Sequence, residues 1–98
     1  MKFRFASRRL HALYTRGAGA RRYPPQVVDG FFEVLRIIDA AAGMSDIYAF
    51  KSLHFEKLSG DRSGQRSLRL GRQWRLIVTV DVELERPEII VEEIVDYH

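Results

Sequence analysis

Residues 67–80 read Ser67-Leu68-Arg69-Leu70-Gly71-Arg72-Gln73-Trp74-Arg75-Leu76-Ile77-Val78-Thr79-Val80. Leu68 and Leu70 alternate with Ser67 and Arg69, and beyond Gly71-Arg72 the alternation resumes, with Trp74, Leu76, Val78 and Val80 set against Arg75, Ile77 and Thr79. A period of two puts successive side chains on opposite faces of a sheet, and a short glycine-bearing break between two such runs marks a hairpin. The stretch therefore predicts two antiparallel strands joined by a tight turn at Gly71-Arg72. One face is apolar, and the other carries Arg69 and Arg75. Because both arginines flank one turn, their side chains are expected to converge.

Downstream, residues 81–87 form the next turn and residues 88–95 the last strand. Upstream, residues 58–64 (Leu58-Ser59-Gly60-Asp61-Arg62-Ser63-Gly64) are turn-rich, since Gly and Asp tolerate left-handed backbone and Ser and Asp bond locally. Before them the period is helical. Val28, Phe31, Phe32, Leu35 and Ile38 recur at i, i+3, i+4, i+7 and i+10, which predicts one apolar face on a helix opened by Pro24-Pro25 and closed by Ala40-Ala41-Ala42-Gly43. Ser45-Asp46 opens a short helical turn carrying Ile47, Phe50 and Leu53. Nearer the start, Phe3 and Phe5 alternate as in a short strand over residues 2–5. Ser7 can cap a helix over Arg8–Arg16, Gly17-Ala18-Gly19 ends it, and residues 19–23 form a basic loop. A strand, two helices and three sequential strands predict an α+β fold, with two N-terminal helices packed on one face of a small twisted, mainly antiparallel sheet. A chain of 98 residues buries enough surface for one modest core, so residues 1–98 are read as a single domain.

Charge is unevenly placed. Residues 1–75 hold 15 Lys/Arg against 6 Asp/Glu, whereas residues 76–98 hold 1 against 7. Thirteen of the 16 cations are arginine, whose planar fork grips phosphate and stacks on bases, so the basic part suits nucleic acid. The opening segment is rich in Arg, Ala and Ser like a transit peptide, but its strand and helix periodicities give it a place in the fold. No apolar run approaches the roughly 18 residues that span a bilayer, so no membrane role is expected. Cysteine is absent, which excludes disulfides and thiol nucleophiles and fits a cytoplasmic location.

The motifs of metal, serine-nucleophile and phosphate-loop chemistry are missing from the sequence. His11, His54 and His98 form no ligand motif, so no metal or other cofactor is expected. No serine sits in a nucleophile elbow, and no glycine-rich phosphate loop is present. Metal-free RNA cleavage needs a group to take the proton of a ribose 2′-hydroxyl, cations to neutralise the crowded phosphate, and an acid for the leaving 5′-oxygen. Asp96, Tyr97, His98, His54 and Glu56 can move protons; Arg69, Arg75, Arg72, Arg62 and Lys57 can supply charge. Each also has a plainer reading: a frayed polar terminus for residues 96–98, a solvent face of the hairpin for the arginines, a loop surface for His54 and Glu56. Trp74 is either core or a base-stacking platform, and its sharing a face with Leu76 and Val78 favours core.

Residues 58–70, then Gln73-Trp74-Arg75, then Glu93-Ile94-Val95-Asp96-Tyr97-His98 stand in an order that resembles the HigB-type toxins of the RelE superfamily. The resemblance implies a small α+β ribonuclease that cleaves mRNA in the decoding site of the small ribosomal subunit without a metal. It also implies neutralisation by a HigA-like helix-turn-helix antitoxin, and contact with operator DNA only through the antitoxin complex. Asp96, Tyr97 and His98 match the family's acid-base end, and Arg69 and Arg75 its phosphate-contacting arginines. Lys57, Arg62, Arg66, Arg72 and Trp74 are then expected along the RNA path. The sequence departs from the pattern twice. Glu56 occupies the position that holds a catalytic histidine or glutamate in relatives, with His54 two residues out of register, so which of the two faces the phosphate stays open. Gly71-Arg72 replaces an Asn-Asp turn, adding a cation. In the expected chemistry Asp96 or Glu56 handles the 2′-hydroxyl, Arg69 and Arg75 stabilise the transition state, and His98 protonates the leaving oxygen, since an unperturbed imidazole titrates near pH ~6.5 and a neighbouring carboxylate favours the charged form. The alternative is a non-catalytic module that binds RNA, the ribosome or an antitoxin through the same basic face.

Overall fold

The alternating stretch forms the expected hairpin at the centre of a five-stranded sheet. In the computed structural model, which describes residues 1–97, the strands are β1 (Phe3–Phe5), β2 (Glu56–Lys57), β3 (Gln65–Arg69), β4 (Trp74–Asp81) and β5 (Glu88–Asp96). Their order across the sheet is β1-β5-β4-β3-β2. β2 to β5 run antiparallel to their neighbours, and β1 pairs in parallel with β5. The turn is closed by the Leu70 amide donating to the Trp74 carbonyl at 2.9 Å. A bulge shifts the β4–β5 register between Ile77 and Val78, so that Ile77 lies opposite Glu93 and Val78 opposite Val91.

Three helices lie on one face: α1 (Arg8–Arg16), α2 (Pro25–Ala40) and α3 (Met44–Ala49). α1 has the caps that its sequence calls for. The Ser7 hydroxyl accepts from the Leu10 amide, and Gly17 ends the helix at φ 68°, a left-handed conformation that costs glycine little. The stretch expected to be a basic loop after it contains a 3-10 turn, Ala20–Arg22. α2 begins at Pro25 as predicted, but its buried stripe is not the expected one. Val27, Phe31, Val34, Leu35, Ile37 and Ile38 face the core, Val28 is half-buried, and Phe32 is 37% exposed. The stripe sits further round the helix because Phe32 does not reach the sheet. Its ring stacks instead on Tyr14 of α1, with centroids 6.0 Å apart. The short turn after Gly43 is a separate helix, α3, followed by a 3-10 turn over Lys51–Leu53; Ile47 and Leu53 are buried and Phe50 is exposed.

The core lies between the helices and Leu68, Leu76, Val78, Ile89 and Val91 of the sheet, with Phe3, Phe5, Trp74 and Ile94 packed around it. One close approach fixes α2 on the hairpin: a Cβ on Gly30 would lie 2.4 Å from the Leu70 carbonyl oxygen. Among the described residues no helix is long and apolar enough to cross a membrane.

Candidate active site on the open face of the sheet

With the helices on one side, residues at alternate positions project from the other. Register groups them in rows. Arg69, Arg75 and Val95 are successive cross-strand partners, and next to them run Glu56, Ser67, Ile77 and Glu93. Directly opposed side chains share a face with Cβ atoms roughly 5 Å apart. The two arginines expected to converge therefore face each other across one ladder. Ser67 and Ile77 are almost fully buried although neither joins the helix-side core, so they form a closed floor beneath the charged groups. Standing among Arg75 and Thr79 on the polar side of its strand, Ile77 was the available sign in the sequence that this face is partly covered.

The two guanidinium groups are oriented by carbonyls. Arg69 donates through Nε to the Gly71 carbonyl at 3.2 Å, and Arg75 through Nη1 to the His54 carbonyl at 3.5 Å. Among the described residues neither has a carboxylate within ion-pairing distance, whereas Arg4 has two and Arg36 and Arg62 one each. Arg69 is exposed and Arg75 half-buried, so a phosphate can reach both.

The remaining expected site residues are divided between the two faces. Glu56 sits on the open face, opposite Ser67 and one row from the arginines. His54 is held differently: it ends the 3-10 turn Lys51–Leu53 at φ 46°, ψ 53°, the one non-glycine residue with positive φ among the described residues, and its carbonyl reaches Arg75. His54 and Glu56 thus belong to different local structures. Arg62 closes the far end of the face, donating to Glu93 at 2.8 Å and to Gln65 at 3.1 Å, so its charge is matched. Lys57 and Arg66 are cross-strand partners on the helix-side face, where Arg66 lies over the Phe55 ring and donates to the Tyr48 hydroxyl. They are not gathered with Arg69 and Arg75. Arg72 is exposed in the hairpin turn. Trp74 is half-buried against the core, edge-on to Tyr23 with centroids 6.0 Å apart.

The end of β5 returns to this turn. Asp96 lies opposite Trp74 and so belongs to the helix-side face of the ladder, not to the face of the arginines, and the Tyr97 amide donates to the Gln73 carbonyl at 2.6 Å. The ladder therefore brings residues 96 and 97 to the end of the sheet that holds Arg69, Arg72 and Arg75. The Tyr97 side chain is 39% exposed there. His98 lies outside the described residues. Cations over a buried floor, with the Glu56 carboxylate on the same face and the Tyr97 phenol at the sheet's end, can neutralise a phosphodiester and exchange protons with it.

Comparison with known proteins finds relatives in one family. The family described as RelE-like toxin of type II toxin-antitoxin system HigB matches residues 3–98. Toxin HigB-1 of Vibrio cholerae serotype O1 is 32% identical over 77 residues, which cover 79% of this chain and 81% of that protein. Among solved structures, the YoeB/ParE toxin from Agrobacterium tumefaciens aligns with a TM-score of 0.60 at 18% identity, covering 100% of this chain and 99% of that one. A chain of the YoeB-YefM complex from Staphylococcus aureus aligns at 0.59 and 21% identity, covering 100% and 97%. The structural likenesses are of fold.

Proposed function

The chain belongs to the HigB-like toxins of the RelE superfamily of type II toxin-antitoxin systems, and on that premise we propose that it is a ribosome-dependent endoribonuclease that cleaves mRNA by acid-base chemistry. The observation that carries the proposal is the opposed pair Arg69 and Arg75, unmatched by carboxylates among the described residues and set on a buried floor. Two like charges opposite each other cost a sheet stability, and the arrangement is useful where an anion is to be bound between them.

In the proposed reaction a carboxylate, Glu56 or Asp96, takes the proton of the ribose 2′-hydroxyl as its oxygen attacks the adjacent phosphorus. Arg69 and Arg75 neutralise the charge that accumulates on the non-bridging oxygens. The bond to the 5′-oxygen breaks as that oxygen receives a proton, from Tyr97 or from His98, leaving a cyclic 2′,3′-phosphate on the upstream fragment. Donors placed where charge develops contribute roughly 10²–10³-fold each in comparable sites. Arg72 lines the approach, and Trp74 supports the turn from the core side. Residues 1–98 act as one domain in the cytoplasm, and a HigA-like helix-turn-helix antitoxin covers the site and carries the complex to operator DNA.

Induced expression in a bacterial host tests this. The intact chain is expected to arrest growth and Arg69→Ala/Arg75→Ala to leave growth normal. Normal growth with the intact chain would remove the toxin activity.

A further inference from the structure

We infer that the 3-10 turn Ala20–Arg22 is a second phosphate-binding position for RNA, placed beside the hairpin tip so that a polynucleotide held by Arg69 and Arg75 continues past Arg72 onto Arg21 and Arg22. The inference rests on the RNA-cleaving reading of the open face and extends the bound length of RNA beyond the scissile phosphate.

Three observations place the turn there. Tyr23, the residue after it, packs its ring edge-on against Trp74, the first residue of β4. The helix that follows is seated on the same hairpin, with a Cβ on Gly30 falling 2.4 Å from the Leu70 carbonyl oxygen and a Cβ on Gly71 falling 3.7 Å from Val27 Cγ2. The turn itself is locked by backbone bonds, Arg22 N–H to the Gly19 carbonyl at 3.0 Å and Tyr23 N–H to the Ala20 carbonyl at 3.2 Å.

Charge then says what the turn takes. No acidic residue occurs before Asp29, and among the described residues neither Arg21 nor Arg22 has an ion-pair partner. Both are exposed. Arg8 and Arg9 are likewise exposed and, among the described residues, likewise without an ion pair, but they belong to α1, which packs through His11 and Tyr14 on Phe3 and Phe5 of β1, at the opposite edge of the sheet from β2. They serve as a charge-matched control.

The test is the salt dependence of binding, measured by fluorescence anisotropy with the full chain. Two probes are used: a single-stranded 2′-O-methyl RNA, which lacks the free 2′-hydroxyl needed for cleavage, and isolated small ribosomal subunits. Each phosphate contact on a single strand contributes about 0.7 to the slope of log affinity against log salt, so Arg21→Ala/Arg22→Ala is expected to lower the slope by about 1.4 and Arg8→Ala/Arg9→Ala to leave it unchanged. A loss with the oligonucleotide assigns the contacted phosphates to the strand held by Arg69 and Arg75 and supports the inference; a loss confined to subunits assigns them to ribosomal RNA, takes the turn off the path of the message and overturns it. A slope for Arg21→Ala/Arg22→Ala equal to that of the intact chain, or to that of the α1 control, overturns it. Arg69→Ala/Arg75→Ala separates the two levels. If that variant loses RNA binding while the turn variant keeps it, only the turn is removed from the path. If that variant binds RNA normally, the reading of the open face fails and the inference goes with it.

Discussion

Arg69 and Arg75 are direct cross-strand partners on the open face of the sheet, and among the described residues no carboxylate lies within ion-pairing distance of either. Among the described residues their side-chain hydrogen bonds go to main-chain carbonyls, those of Gly71 and His54. A pair placed for stability would have an acid on one of the two strands; a pair placed for an incoming anion would not.

Stability and activity should therefore separate at these positions. Arg69→Gln removes the repulsion, so the variant is expected to be as stable as the parent or more stable by roughly 0.2–1 kcal/mol, while growth arrest is lost. Urea unfolding midpoints set beside growth curves check this. A variant that is both inactive and clearly less stable would point to a structural role for the arginine.

The helix that supports the hairpin has one position where size decides the outcome. Alanine is the better helix former by about 1 kcal/mol, yet at residue 30 its Cβ would meet the Leu70 carbonyl oxygen at 2.4 Å, and neither backbone can move aside alone. Gly30→Ala is expected to destabilise the chain by about 1–3 kcal/mol, as overpacking does. Because Leu70 joins Arg69 to the turn, activity should fall as well. Thermal unfolding reads the first effect, and an unchanged midpoint would contradict the close seating of α2 on the hairpin.

His54 and Glu56 can be told apart by what each contributes. His54 offers a left-handed backbone and a carbonyl to Arg75, and glycine supplies both at no steric cost. Glu56 offers a carboxylate on the face that bears the arginines. His54→Gly is expected to keep most of the cleavage activity, and Glu56→Gln to lose about tenfold or more, within the range of a general base. The opposite ranking would move the proton transfer to the imidazole.

At the far edge of the sheet Arg4 bridges Asp81 at 2.8 Å and Glu88 at 3.0 Å, tying β1 to the β4–β5 turn. The Arg4 hydrogen bond, with a smaller contribution from the Glu83 amide, holds the Asp81 carboxyl below its ordinary range. A carboxyl depressed in the folded state stabilises the fold above its unfolded titration and loses that contribution as pH falls through the lowered folded value. Asp81→Asn should accordingly flatten the decline of the unfolding midpoint between about pH 5 and about pH 2. Since the pair is open to solvent the effect is small and shrinks at high salt. A decline as steep in the variant as in the parent would assign acid sensitivity elsewhere.

Local signals carried far in this chain, and long-range ones did not. The hairpin, the caps of α1 and the proline start of α2 follow from residues adjacent in sequence, and so does the placement of Arg69 and Arg75, because alternation and one turn are enough to oppose them. The α2 stripe was misplaced because Phe32 has an aromatic partner, Tyr14, on a different helix, and periodicity counts hydrophobes without knowing what covers them. The parallel pairing of β1 with β5 joins residues more than 80 positions apart, and β2 has only two residues, too few to show a period. The division of the cations followed from that strand. Only its register with β3 separates Glu56, on the open face, from Lys57 and Arg66 on the other, and pairs Arg62 with Glu93 through the loop before it.

The opposed arginines are proposed to act on a phosphodiester of a translated message. Primer extension on a defined mRNA, in a purified translation system supplied with the full chain, tests it most directly. Discrete breaks within the translated region are expected for the intact chain, no breaks on the same message without ribosomes, and a loss of at least about 10²-fold in cleavage for Arg69→Ala/Arg75→Ala at unchanged folding. An intact message with the unmodified chain, or undiminished cleavage by the double variant, would contradict it.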